Sequence, residues 1–451
     1  MNVARVTMAH GTIEAQRALI ETLRREADAV GAPLAILVDL PGPKVRTTPF
    51  AAPVDLANGD VVTLVAGTKE HSTASKLVVD YPTLVEDLDV GDDVGIGDGA
   101  VRLRVDAKTA TSLSATVTHG GHLSGRKGVK IPTRRYRASV PTAHDREILK
   151  ALAGLPIDII AVSFVRSGAE MQAVRAAAGA NPPWLMAKIE TAQAVENLAE
   201  IIEASDAVMV ARGDLGTELP IEEVPHLQKR IIRETVRNGK PVLVATQMLE
   251  SMIESPAPTR AEATDVANAV LDHTSAVMLS AETAVGRDPV NVVRTMARIL
   301  CRAEAELDPA HLRLFTFEGR DFSDVNLATA HAGWQAAHDL GAAAILCCTR
   351  TGSTARKMAS LRPLMPLYGL TADPRALRQL SVCWGVHGRF LSETDTSTED
   401  VMQHAIDFAQ TNGIIKPGDI AIVLAGSPAA GPGHTDSVRV VVAGGTSRSS
   451  I

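Results

Sequence analysis

Residues 184–193 read WLMAKIETAQ. A short apolar run ends in a lysine and a glutamate two positions apart, and a helical pattern, TAQAVENLAEIIEAS, follows at once. On a strand, residues 188 and 190 leave the same face. Six further runs have the same shape: MNVARVTM (1–8), LAILVDL (34–40), DIIAVSFV (158–165), AVMVARGD (207–214), PVLVATQ (241–247) and AVMLSAE (276–282). Amphipathic stretches such as IEAQRALIETLRREADAVG separate them. Strands that are apolar on both faces and alternate with helices predict a parallel sheet covered on both sides. The later runs all end in polar residues: SFVR, KIE, ARGD, ATQ and SAE. In a (β/α)8 TIM barrel the strand C-termini meet at one mouth, where the chemistry sits. Lys188 and Glu190 would then face a substrate. Met1 falls inside what reads as the second strand, so the first strand of the expected α/β barrel is either absent or lies upstream of this start.

Two other segments break this rhythm. GDVVTLVAG, SKLVVDY, GDDVGIGDGAVRLRV and TSLSATVTHGGHL are short, glycine-punctuated and rich in Val and Thr, which predicts an inserted all-β lid over 48–130. From residue 318, AAAILCCT, MPLYGLT, DIAIVLAGS and VRVVVAG alternate with helical stretches. That predicts a separate C-terminal α/β domain over 318–451, leaving 1–47 and 131–317 to the barrel.

Composition narrows the function classes. The chain has 451 residues, 45% hydrophobic and 22% charged, with 45 basic and 52 acidic residues and a net charge of −7. Nothing in that balance suggests a surface for nucleic acid or an anionic membrane, and neither a bilayer-length apolar run nor a basic-then-apolar leader is visible. The cysteines, Cys301, Cys347, Cys348 and Cys383, form no CxxC pair, which fits a reduced cytoplasmic setting.

At the predicted mouth, Lys188 and Glu190 come from one strand, Asp214 from the next, Thr246 from the one after, and Ser280 and Glu282 from the last. Arg5 and Arg46 lie on or just after the early strands. Two carboxylates on neighbouring strands suit Mg2+, which takes few protein oxygens and several from substrate. Two arginines and a lysine suit a phosphorylated anion. A metal and cations around phosphate point to phosphoryl transfer, and the same metal can stabilise an enolate. Taken singly, each signal has a plainer reading. A KxE pair is more often a solvated ion pair, Asp214 a helix cap or turn residue, and Arg5 a snorkelling side chain.

The ordered set is more specific. MNVARVTMAHGT, LPGPKVRT, RKGVKIP, AVSFVR, AKIE, SDAVMVARGDLGTELP, VATQMLESMIESPAPTRAEATDVANAVLD and VMLSAETAVGRDPV closely resemble the pyruvate kinase family, in order and over nearly the whole chain. The resemblance implies phosphoenolpyruvate and ADP as substrates, ATP as product, Mg2+ or Mn2+ as cofactor and a homotetramer. By position, Lys188 resembles the lysine that steadies the migrating phosphoryl group, and Glu190 and Asp214 the metal carboxylates. Thr246 resembles the threonine near the carbon that gains a proton, Arg5 a phosphate clamp, and Gly213 backbone that holds the substrate carboxylate. Arg46 and Lys127 resemble nucleotide-phosphate contacts, and His10 and Asp98 have counterparts near the nucleotide.

The family often binds K+ through side-chain oxygens at positions that here read Thr7, Ala9, Asp39 and Leu40. Ala9 and Leu40 offer none, and Lys44 stands where a glutamate is usual. A fixed ammonium supplies the missing cation, so K+ is not expected to be required. In CTRTGSTARKMA, the residues Thr349, Arg350, Thr351, Gly352, Ser353 and Thr354 precede a helix and resemble an effector-phosphate loop for a sugar phosphate or nucleotide. Two rivals remain at this level. One is a different barrel enzyme, with Lys188 as a Schiff-base amine or a metal-dependent lyase acting on an enolate. The other is an inactive metabolite-sensing paralogue, suggested by the absent first strand.

Overall fold

The computed structural model describes all residues except 98, 132–137, 393–396, 428–432 and 445–451. Its largest sheet has seven parallel strands in the order Val3–Thr7, Ala35–Asp39, Ile159–Val162, Trp184–Ile189, Ala207–Ala211, Val242–Ala245 and Ala276–Val277. These are the seven expected runs. The sheet curls into a nearly closed barrel. Among the described residues, no strand joins Val3–Thr7 to Ala276–Val277.

Alternation along the strands builds two layers. Ile36, Val38, Ile160, Val162, Leu185, Ala187, Ile189, Val208 and Val210 pack with the surrounding helices. Leu37, Ile159, Ala161, Trp184, Met186, Ala207, Met209, Leu243 and Ala245 form the other layer. Stepping on by two from Leu37, Ala161 and Met186 reaches Asp39, Ser163 and Lys188. The interior face therefore turns polar at the C-terminal ends of three adjacent strands, and all three residues are buried there. The last run departs from expectation. Its strand is only Ala276–Val277, Ser280 caps a helix Ala281–Ala284, and Glu282 turns inward. The Glu282 carboxylate accepts from the backbone N–H of Leu249 (3.2 Å) and of Ser280 (2.6 Å). It braces the loop and does not join the mouth.

A six-stranded sheet and a two-stranded ribbon occupy 54–130. The two chain crossings that join them to the barrel lie side by side: Arg46 bridges Gly128, and Thr47 N–H donates to Lys127 O at 2.7 Å. A five-stranded sheet, parallel but for its last strand Ser437–Val442, forms the C-terminal unit. Its core is continuous with the interior layer of the barrel through Trp184. Asp158, fully buried, ties the two units together. It accepts from Arg24 at 2.7 Å, from Ile36 N–H at 2.8 Å and from Arg378 of the C-terminal unit at 2.8 Å. Cys347, Cys348 and Cys383 are buried and Cys301 is exposed. No described helix is long and apolar enough to cross a membrane.

Candidate active site

Lys188 is the next-to-last residue of the strand Trp184–Ile189, and Glu190 is the first residue past it. Both are buried, at 7% and 1% exposure. The ammonium lies 2.8 Å from Glu190 Oε1 and 3.4 Å from Asp39 Oδ1, and donates to Ser163 Oγ at 2.8 Å. Ser163 in turn donates to Leu40 O at 2.7 Å. The other Asp39 oxygen is held by Arg5, through Nε at 2.8 Å and Nη2 at 2.6 Å. A continuous polar chain therefore runs Arg5–Asp39–Lys188–Glu190, drawn from three strands of the barrel.

Burial and charge compete along this chain. Burial alone would lower the Lys188 pKa, but Glu190 and Asp39 raise it above the ordinary lysine value. Burial would raise Asp39, yet Lys188, Arg5 and Lys44 hold it below the usual carboxylate range. Glu190 goes the other way. Burial and the neighbouring Asp214 charge outweigh Lys188 and the Phe164 N–H bond, and lift its carboxyl to about 6. Phe164 makes that bond at 2.7 Å from a left-handed backbone, φ +56°. Glu190 Oε1, although 2.8 Å from the ammonium, accepts no well-aligned hydrogen bond among the described residues. One of its lone pairs faces the ammonium, which leaves the other for a further ligand.

Asp214 sits in the first turn of the helix Arg212–Glu218, directly after the strand Ala207–Ala211. With Glu190 it lines a cavity of about 410 Å³ between barrel and lid. Lys44, Arg46, Arg126, Lys127, Lys130 and Arg166 line the same cavity. An open carboxylate oxygen, a second carboxylate on the same wall and a cationic rim fit a hard divalent ion that keeps sites for phosphate oxygens and water. Among the described residues no group of three or more His, Cys, Asp or Glu could hold a metal by itself.

The third part of the site is Thr246, which follows the strand Val242–Ala245 at φ +70°, with Gln247 at +55°. A β-branched residue in the left-handed region is strained. Its hydroxyl accepts from Gly213 N–H at 2.8 Å and donates to Ala245 O at 2.6 Å. A Cβ on Gly213 would stand 3.3 Å from that hydroxyl, close enough that Thr246 would have to give way slightly. The Arg212 guanidinium holds the turn in place. It donates to the carbonyls of Thr246 (2.6 Å) and Gln247 (3.3 Å), and its Nη1 donates to both oxygens of Asp265 at 2.8 and 2.7 Å.

The structure links Arg5 to Lys188 and Glu190 through Asp39, sets Gly213 against Thr246, and puts Glu190, Asp214, Arg46, Lys127 and Lys44 on one cavity. His10 is not among the cavity's lining residues; it is exposed, with its carbonyl bonded to Gln16. Asp98 lies outside the described residues. Ser163, Arg212, Asp265 and the central role of Asp39 were not anticipated. Only Asp39 and Ser163 had a signal: each is polar at the end of a run buried on both faces.

The Glu190 shift has a testable sign. A carboxyl raised from 4.5 to about 6 binds its proton more tightly in the folded state. Its contribution to stability is present below pH 4.5 and is lost as pH rises through about 6. A divalent ion needs the ionised form. The rise in melting temperature produced by Mg2+ is therefore expected to be large at pH 7.5 and small at pH 5, as read by thermal scanning of the substrate-free protein. Equal rises at both pH values would remove Glu190 as a metal ligand.

Comparison with known proteins gives a consistent picture. A family model described as "Pyruvate kinase, barrel domain" matches residues 1–293, and one described as "Pyruvate kinase, alpha/beta domain" matches 327–441. A pyruvate kinase of Mycobacterium intracellulare is 40% identical over 444 residues, covering 98% of this chain and 92% of its own length. One of Geobacillus stearothermophilus is 37% identical over 453 residues, with 98% and 76% coverage. The crystal structure of a pyruvate kinase from Cryptosporidium parvum superposes with a TM-score of 0.91 at 32% identity, covering 98% of this chain and 91% of that one.

Proposed function

The chain belongs to the pyruvate kinase family, and on that premise we propose how its residues divide the transfer of a phosphoryl group from phosphoenolpyruvate to ADP, giving pyruvate and ATP. The observation that carries the assignment is the polar chain from Arg5 to Glu190, buried from Asp39 onward and ending on a cavity shared with Asp214. The family requires a divalent cation. Here Glu190 and Asp214 would hold it, as Mg2+ or Mn2+, and it would supply charge neutralisation to the phosphates and the enolate oxygen. Lys188 stays protonated between two carboxylates and offsets the negative charge of the migrating phosphoryl group. The same stabilised ammonium is the wrong state for a Schiff-base nucleophile, which must be a neutral amine. Arg5 spends two of its five N–H groups on Asp39 and keeps the others for substrate phosphate. Gly213 N–H would exchange Thr246 for the substrate carboxylate. The Thr246 hydroxyl, a poor acid, would order the water that protonates enolpyruvate, whose ketonisation drives the reaction.

Arg46 and Lys127 would meet nucleotide phosphates under the lid, with His10 at most peripheral. K+ independence is supported by the state of Asp39. Both its oxygens face cations, and the Leu40 carbonyl already accepts Ser163. Lys44 adds positive charge from the cavity rim. The loop from Thr349 to Thr354 would take an effector phosphate: Gly352, at φ +80°, opens the helix Ser353–Ser360 with no side-chain cap. Thr354 itself is engaged with Thr435 at 2.6 Å. A homotetramer in the cytoplasm completes the proposal, on family grounds.

A lactate-dehydrogenase-coupled assay tests it. Pyruvate release is expected to need ADP and to stop on chelation. KCl titrated at constant ionic strength should change turnover by less than about twofold, since no ligand set remains for the ion to complete. A many-fold rise with K+ would defeat the monovalent-cation reading alone. Release of pyruvate without nucleotide would defeat the phosphotransferase assignment.

A further inference from the structure

Lys130 stands on the cavity wall without a role in the reaction as divided above. It lies on the two-residue strand Val129–Lys130, where the lid chain returns to the barrel. Val129 and Ile131 are buried at 6% each in the lid core, so strand alternation sends the Lys130 side chain the other way, into the cavity. The return strand is itself anchored. Val129 N–H donates to Val45 O at 2.9 Å, and Lys130 pairs with Gly95. From this fixed base, Lys130 Nζ reaches across to the barrel and donates to the backbone carbonyl of Asp214 at 3.3 Å. Thr217 Oγ1 donates to the same carbonyl at 2.6 Å.

The target of that bond matters. Asp214 rides on a helix of only seven residues whose cap residue, Ala211, gives no side-chain hydrogen bond. So short a helix has little stability of its own, and contacts from outside decide where its first turn sits. On the barrel side, the Gly213–Thr246 contact fixes one edge. Lys130 adds a contact from the lid.

We propose that Lys130 is a positioning residue for the divalent-ion site: the lid's return strand uses its ammonium to hold the Asp214 turn at the spacing from Glu190 that the ion requires. It rests on the reading of Glu190 and Asp214 as the metal carboxylates. The lid hinge and the metal ligand thereby become one mechanical unit, and a change in lid angle is felt at Asp214 before any nucleotide phosphate is touched. The sign of the effect separates this role from simple electrostatics. An ammonium acting by charge alone repels a divalent ion, so its removal would tighten metal binding. A positioning ammonium does the opposite, since loss of a group that orients a ligand typically weakens metal affinity by about tenfold or more.

The test is Mn2+ binding to the full chain without substrates, read from the paramagnetic resonance signal of the free ion. Hydrogen exchange of the amides in 212–218 is read on the same samples. Lys130→Met is expected to weaken Mn2+ binding by about tenfold and to speed exchange in 212–218, and Lys130→Arg to restore both most of the way. Asp214→Asn is expected to lose the site. If Asp214→Asn loses Mn2+ while Lys130→Met binds it as tightly as the parent or more tightly, the positioning role is overturned and the metal reading stands. If Asp214→Asn keeps Mn2+, both are overturned. Unchanged Mn2+ affinity with a raised KM for ADP alone would make Lys130 a phosphate contact and overturn the proposal.

Discussion

Lys188→Met should lower kcat by about a thousandfold, the scale on which one preorganised group aimed at developing charge is felt in a dry site. It should also destabilise the protein. Lys188 is not a solvent-facing cation at the rim of the mouth; it is buried between Glu190 and Asp39 at 2.8 and 3.4 Å. Removing it leaves a carboxylate without its main counter-charge, and breaking a buried pair costs about 3–5 kcal/mol. Glu190 then loses the strongest influence that lowers its pKa and takes up a proton more readily. The double variant Lys188→Met/Glu190→Gln separates the two effects. With both charges gone the stability penalty should shrink, while turnover stays absent. Thermal scanning and the coupled assay on the same samples read both quantities. Turnover near the parent level in the single variant would remove the assignment of Lys188, whatever happened to its stability.

The legible part of this site follows from strand chemistry. Lys188, Glu190 and Asp214 could be found because each ends a run of buried aliphatic residues, where a charge is unexpected unless it has work or a partner. The same reasoning failed at SAE. The final strand stops at Val277, and Glu282 is buried as a backbone acceptor from Leu249 and Ser280. An acid that braces a loop and an acid that faces a substrate look alike in sequence, because both terminate an apolar run. Asp39 was read as a vestige of a cation site; in the structure it is the hub that joins Arg5 to Lys188. That role depends on two strands being adjacent in register, Val3–Thr7 beside Ala35–Asp39, which local pattern does not encode. Arg212 and Asp265 were hidden for a related reason. They are 53 positions apart, and nothing in either neighbourhood announces the other.

That hidden pair carries the second large effect. Thr246 and Gln247 are both left-handed, at φ +70° and +55°, and non-glycine residues held there cost roughly 1–3 kcal/mol each. Such a turn persists only where its surroundings over-determine it. Arg212, its side chain only 10% exposed, does this by donating to two successive carbonyls of the turn. Asp265 fixes the guanidinium from behind, both of its oxygens accepting from Arg212 Nη1. Asp265 is placed by the helix Arg260–Leu271, whose start is locked by a capping box between Thr259 and Glu262. In Arg212→Met the turn is expected to relax toward ordinary backbone geometry and carry the Thr246 hydroxyl away from Gly213. A displacement of about 1 Å can cost on the order of a hundredfold in rate, so kcat should fall by about that factor. Asp265→Asn keeps an acceptor behind the guanidinium and should lose only about tenfold, the scale of one weakened charge-assisted bond. The discriminating measurement is exchange of the pyruvate methyl protons with solvent deuterium. If Arg212 acts through Thr246, exchange slows at least as much as overall turnover. Turnover reduced a hundredfold with methyl exchange at the parent rate would place Arg212 in the phosphoryl-transfer half of the reaction and break its link to the Thr246 turn.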